Sequence, residues 1–191
     1  YHQPWRGGTI ALGLQADMLQ EGIDGSKTDL GDNNDPAFPT VQVNGSAFDL
    51  SVGSYYQRKG FRLSAAYHHL AAPTVRLGET HELPIRGVLN VATQYNIRTS
   101  SPLFTITPSA MLRSDFTDYR VDLTLRGQYK FENRLIFAGV NYAPQRSVGL
   151  FVGGTLRGID ISYGYEANTS GLGLGAGQHE IVIAYRLPID L

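Results

Sequence analysis

Tyr119–Lys130, Leu135–Ala143, Val148–Leu156 and Ile159–Ala167 are four successive ribbons of alternating apolar and polar residues, joined by turns of only a few residues. A fifth ribbon, His179–Leu187, follows near the end of the chain. The first is the clearest. Tyr119, Val121, Leu123, Leu125, Gly127 and Tyr129 share one face, and Arg120, Asp122, Thr124, Arg126, Gln128 and Lys130 share the other. A period of two with that contrast describes a strand standing between oil and water. When strand after strand reads this way, the usual solution is a transmembrane barrel with lipid outside and a polar lumen inside.

Composition agrees. Hydrophobic residues make up 42% and charged residues 17% of the 191, and no run reaches the roughly 18–20 apolar residues of a spanning helix. The 22 glycines and 11 tyrosines suit tight β-turns and interfacial aromatic girdles. Sixteen basic against 17 acidic residues leave a net charge of -1, with no electrostatic footprint for nucleic acid. Zero cysteines exclude disulfide scaffolds, thiolate metal sites and cysteine nucleophiles. The opening Tyr1-His2-Gln3-Pro4-Trp5 lacks the signal-peptide pattern that an exported barrel needs. The expectation is a processed chain or the C-terminal part of a longer barrel, with residues 1–191 forming a single domain.

About ten strands are expected, at residues 8–20, 47–57, 60–71, 84–96, 102–113, 118–130, 134–143, 147–155, 157–167 and 178–187, from the 9–11 residues that a tilted membrane strand requires. The connections alternate in length. With short turns on the periplasmic side, Glu21–Ser46, Ala72–Leu83 and Asn168–Gly177 are external loops. Lipid-facing candidates are Ile10, Leu12, Leu14, Phe48, Leu50, Val52, Leu89, Val91, Phe104, Ile106, Ile159, Ile161, Ile181 and Ile183. Lumen-facing candidates are Gln15, Asp17, Arg62, His68, Arg86, Asn90, Gln94, Thr105, Thr107, Arg113, Arg120, Asp122, Arg126, Asp160, Glu166, Glu180 and Arg186. Both signs of charge occur there, so a crosslinked interior is expected in which Asp122, Asp160 and Glu180 neutralise Arg113, Arg120 and Arg126. Pro108 lacks a ladder donor and is read as a bulge or bend beside Ser109.

Other constellations carry less chemistry. The acidic run from Asp24 to Asp35 gathers oxygen ligands but lacks the EF-hand spacing and contains Lys27, so a solvated loop is favoured over calcium. Ser64 and His68 share a face about 13 Å apart in a strand, too far for a nucleophile–base hydrogen bond. His69 and Tyr67 are placed at the membrane interface. The glycine-rich stretch 171–177 is followed by no helix, so it has no phosphate cradle. No catalytic residue, metal site or cofactor is assigned.

Several phrases carry a resemblance. Ile159-Asp160-Ile161-Ser162-Tyr163-Gly164-Tyr165-Glu166, a glycine-rich loop and Gly177-Gln178-His179-Glu180-Ile181-Val182-Ile183-Ala184-Tyr185-Arg186 form the last quarter. Upstream stand Asp35-Pro36-Ala37-Phe38, Phe61 to Leu70 with its terminal His-Leu, and Thr107-Pro108-Ser109-Ala110-Met111-Leu112. In order and spacing, from about Ile10 to Tyr185, these resemble the PorP/SprF family of outer-membrane proteins of the type IX secretion system. Glu166 stands where that family usually has Asp, and Phe137 lies in a strand that often holds Trp.

The resemblance implies a non-enzymatic protein of the bacterial outer membrane that supports secretion or surface attachment of a secreted adhesin-like protein. Implied partners are type IX cargo or its C-terminal signal domain, other type IX outer-membrane components or lipoproteins, and outer-membrane lipid. Partner contacts are expected on the external loops, at Asp29, Asp32, Asp35, Phe38, Asn168, Leu172 and Leu174. The alternatives are a small passive solute pore, which needs an open lumen, and an outer-membrane enzyme, which needs an acid/base constellation on one rim.

Overall fold

The computed structural model describes residues 2–25, 41–78, 81–156, 158–170 and 177–185. These residues form strands and no helix: β1 (His2–Trp5), β2 (Gly8–Asp24), β3 (Gln42–Arg58), β4 (Phe61–His68), β5 (Thr74–Leu77), β6 (His81–Pro84), β7 (Val88–Tyr95), β8 (Ile97–Arg98), β9 (Phe104–Ser114), β10 (Tyr119–Phe131), β11 (Arg134–Ala143), β12 (Ser147–Leu156), β13 (Ile159–Asn168) and β14 (Gln178–Tyr185). All but β5 and β6 belong to one antiparallel sheet in chain order, with β8 beside β9, while β5 and β6 form a separate hairpin. The ten expected strands are β2, β3, β4, β7 and β9 to β14; β1, β5, β6 and β8 were not anticipated. The sheet is open. β1 and β14 are its two edges, so the expected closed barrel is not formed by the described residues.

Register decides which side chains share a face. Leu14 pairs with Val52, Val52 with Tyr67 and Tyr67 with Leu89, and further along Leu123 pairs with Tyr142 and Tyr142 with Val148. One polar row runs unbroken from Gln57 through Arg62, Gln94, Ser109, Thr124 and Asn141 to Gly149 and Glu166. All fourteen lipid-facing candidates lie on the apolar face, and the lumen-facing candidates within strands lie on the polar one. Arg86 is an exception, because it sits in the link between β6 and β7, and Arg186 lies outside the described residues.

Burial is inverted relative to a water-soluble domain. Leu14, Met18 and Ile183 are 74%, 77% and 70% exposed, and among the described residues the buried apolar side chains are Val75, Leu77 and Ala143. A contiguous apolar surface on this scale demands an apolar solvent. Its margins hold aromatic rings, with Trp5 edge-on to Tyr56 at 5.8 Å and Tyr129 and Tyr185 half exposed near the same end.

Two departures from expectation have local causes. β2 and β3 are 17 residues each, far beyond the expected 8–20 and 47–57, because their ladder continues through polar pairs such as Gly22 with Asn44. Pro108 makes no bulge. The register is the same on both sides of it, from Gln94 with Ser109 to Ile97 with Ile106, and its missing N–H opens only a gap between β7 and β8. Thr107 Oγ1 spans that gap by bonding Asn96 Oδ1 at 3.0 Å.

Candidate functional site

The two ends of the sheet differ. At one end β1–β2, β3–β4, β10–β11 and β12–β13 are joined by two-residue turns, and positive φ at Arg6 (48°), Lys59 (51°) and Glu132 (52°) gives these hairpins the twist that matches their strands. The other end carries the longer connections between β2 and β3, β4 and β7, and β13 and β14. There β2 and β3 run about six residues past the length needed to cross a bilayer, an overhang of roughly 20 Å.

The stretch Ala72–Leu83, expected as a plain external loop, instead contributes to the β5–β6 hairpin, which lies back on the polar face of β3. Val75 and Leu77 are buried there at 0% and 3% exposure. Gly45 makes the fit possible, since a Cβ on it would collide with the main-chain carbonyl of Arg76. At the base of the hairpin Asp49 is fully buried. His69 Nδ1 lies 2.6 Å from Asp49 Oδ2, and His69 itself takes a left-handed φ of 56°. The other oxygen, Oδ1, has no hydrogen-bond partner among the described residues. His69 is thus an inward-turned partner of a buried carboxylate, and its expected place at the membrane interface is corrected. Sequence reading passed over Asp49, although a lone Asp between Phe48 and Leu50 is the mark of a polar-face position.

Further along the same face some of the charges are paired. Arg120 grips Asp122 through Nε and Nη2 at 2.8 to 3.0 Å and reaches Glu166 at 3.4 Å, and Ser147 donates to Glu166. Arg113 donates to Asn90 at 3.0 Å, and Thr124 to Asn141 at 3.0 Å. The expected neutralisation therefore holds for Arg120, with Glu166 taking part in place of Glu180. It fails for Arg126, whose guanidinium sits 5.9 Å over the Phe137 ring without a carboxylate partner among the described residues. Asp160 is bonded by Thr155. Phe137 and Phe151 also point to the polar side, filling space above Gly153 and Gly139, where a Cβ would strike the rings. Outside the sheet, the turn between β9 and β10 is closed by Asp115. The N–H groups of Asp118 and Thr117 donate to its carboxylate and hold it below the usual carboxylate range, with Arg86 nearby at 3.7 Å.

An amphipathic antiparallel sheet with one apolar face, a charged polar face and elaborated connections at one end is the architecture of a protein that meets a membrane with strands. A family model for the type IX secretion system membrane protein PorP/SprF matches residues 1–185. The chain belongs to the PorP/SprF family. No curated protein and no solved structure matches it. This PorP/SprF protein is therefore a membrane component of type IX secretion, and its all-β architecture fits the outer membrane.

Of the residues expected to contact a partner, Asp29, Asp32, Asp35, Phe38, Leu172 and Leu174 lie outside the described residues. Asn168 is the exposed last residue of β13, paired with Ser147 on the rim of the long-connection end. Of the acidic run considered for calcium, Asp24 ends β2 and the residues from Ser26 to Asp35 lie outside the described residues.

Proposed function

We propose that this PorP/SprF protein is a non-enzymatic outer-membrane barrel that supports secretion, or surface attachment, of an adhesin-like type IX cargo. The family match over residues 1–185 carries this reading. The cargo or its C-terminal signal domain is held at the long-connection end, by the loops between β2 and β3 and between β13 and β14, with other type IX components alongside. Two features favour holding over conduction: the β5–β6 hairpin folded onto the polar face, and the Arg120–Asp122–Glu166 cluster that occupies it. In the membrane the sheet closes, because lipid tolerates no open strand edge. β1 and β14 both run toward the short-turn end, so antiparallel closure takes an odd number of further strands seated between them.

Affinity capture of the protein from native membranes tests the reading. A secreted adhesin-like partner should be retained, and replacing residues 169–177 should reduce its capture without unfolding the barrel, since a surface loop carries little burial. Large single-channel currents in planar bilayers together with normal cargo display would favour the solute pore instead.

A further inference from the structure

The polar face divides by charge along its length. Its half nearer the long connections holds Asp17, Asp49, Asp122 and Glu166 together with Arg113 and Arg120. The half nearer the short turns, from β3 across to β10, has no carboxylate at any polar-face position. In that region register places Arg62 beside Gln94, Arg98 beside Thr105, Arg126 beside Thr107 and Lys130 at the end of β10. None of these four cations forms an ion pair among the described residues. Arg62 and Arg126 are half-buried, and leaving them uncompensated is costly unless an anion completes them, while the exposed Arg98 and Lys130 extend the same cationic row.

We propose that this cationic wall is a docking site for an acidic segment of another polypeptide, entering from the short-turn end. The spread of the cations selects the ligand. At the main chain the strands that carry them, β4 to β10, span three interstrand spacings, about 14 Å, a spread matched to an extended chain with several carboxylates. Guanidinium groups take carboxylates in paired hydrogen bonds, and Gln94, Ser109 and Thr124 offer further partners to its main chain. Anionic lipid is a poor fit, because these side chains stand on the polar face and not the apolar one. The site lies at the opposite end from the loop surface proposed for cargo and does not rest on that reading.

The test uses the full protein in detergent and a labelled oligoglutamate peptide followed by fluorescence anisotropy. Binding should appear at low salt, weaken as salt rises, and fall about tenfold or more when Arg62→Gln, Arg98→Gln, Arg126→Gln and Lys130→Gln are combined. Arg76→Gln, on the β5–β6 hairpin at the other end, should leave it unchanged. Should the combined variant fail to fold, Lys130→Gln alone, at an exposed strand end, should still reduce binding about twofold. Absence of binding to the wild type, equal binding by the folded combined variant, or displacement by inorganic phosphate at the same concentration as free oligoglutamate would overturn the proposal.

Discussion

At the scale of single residues, neighbours in sequence live in different solvents. Leu123 is 44% exposed on the apolar face between Ala110 and Tyr142, whereas Thr124 next to it bonds Asn141 on the polar face. An arginine facing lipid near the midplane costs about 2–4 kcal/mol, and a lumen position tolerates it far better. Leu123→Arg should therefore impair folding into lipid vesicles much more than Thr124→Arg, as read by protease protection after refolding; equal effects would remove the apolar face from the membrane. Asp49 and His69 make a second contrast. His69→Ala leaves a fully buried carboxylate without its hydrogen bond, an uncompensated loss of about 3 kcal/mol or more, while the double variant with Asp49→Ala removes the charge too and should recover most of it. Urea unfolding of the two variants in detergent decides this, and a double variant no better than His69→Ala would mean the pair is idle.

Among the elements, the β5–β6 hairpin is the one whose position depends on a single small residue. Gly45→Val should lift it from β3, because the added side chain meets the Arg76 carbonyl, and release the burial of Val75 and Leu77, each worth about 1.5–3 kcal/mol. Amide hydrogen exchange at residues 74–84 should then rise by orders of magnitude while β9 to β12 stay protected; unchanged exchange would show that the hairpin is held elsewhere. This element also marks the limit of what the sequence discloses. Strands β10 to β13 were legible nearly to the residue, since their apolar faces recur with a period of two even where Phe137 and Phe151 interrupt the polar one. The face of almost every candidate followed from the same period. Thr74–Leu77 and His81–Pro84 offer only four residues each, too few for a period to register, and their partners lie on distant β3. The tails of β2 and β3 were missed because main-chain ladders hold polar residues as readily as apolar ones. At the candidate site, the pairing of Arg120 with Asp122 could be foreseen from their i, i+2 spacing on one face. The isolation of Arg126 could not, since it depends on which carboxylates four other strands bring near.

For the molecule as a whole, orientation is the property most open to test. Protease added outside intact cells should cut between Gly25 and Val41 and spare the turn at Glu132 and Asn133, as followed by fragment mass. Cleavage at the turn alone would invert the protein and move the cationic wall to the outside. The last strand carries a further consequence. Every residue of β14 is exposed, Ile181 and Ile183 to about 70%, and one whole side of its main chain has no neighbour among the described residues. An uncharged, β-branched run such as Ile181–Ile183 with a free ladder is a template on which other chains can grow. Transferred to water without detergent, the 1–191 polypeptide should nucleate ordered fibrils, and Val182→Pro should delay their onset.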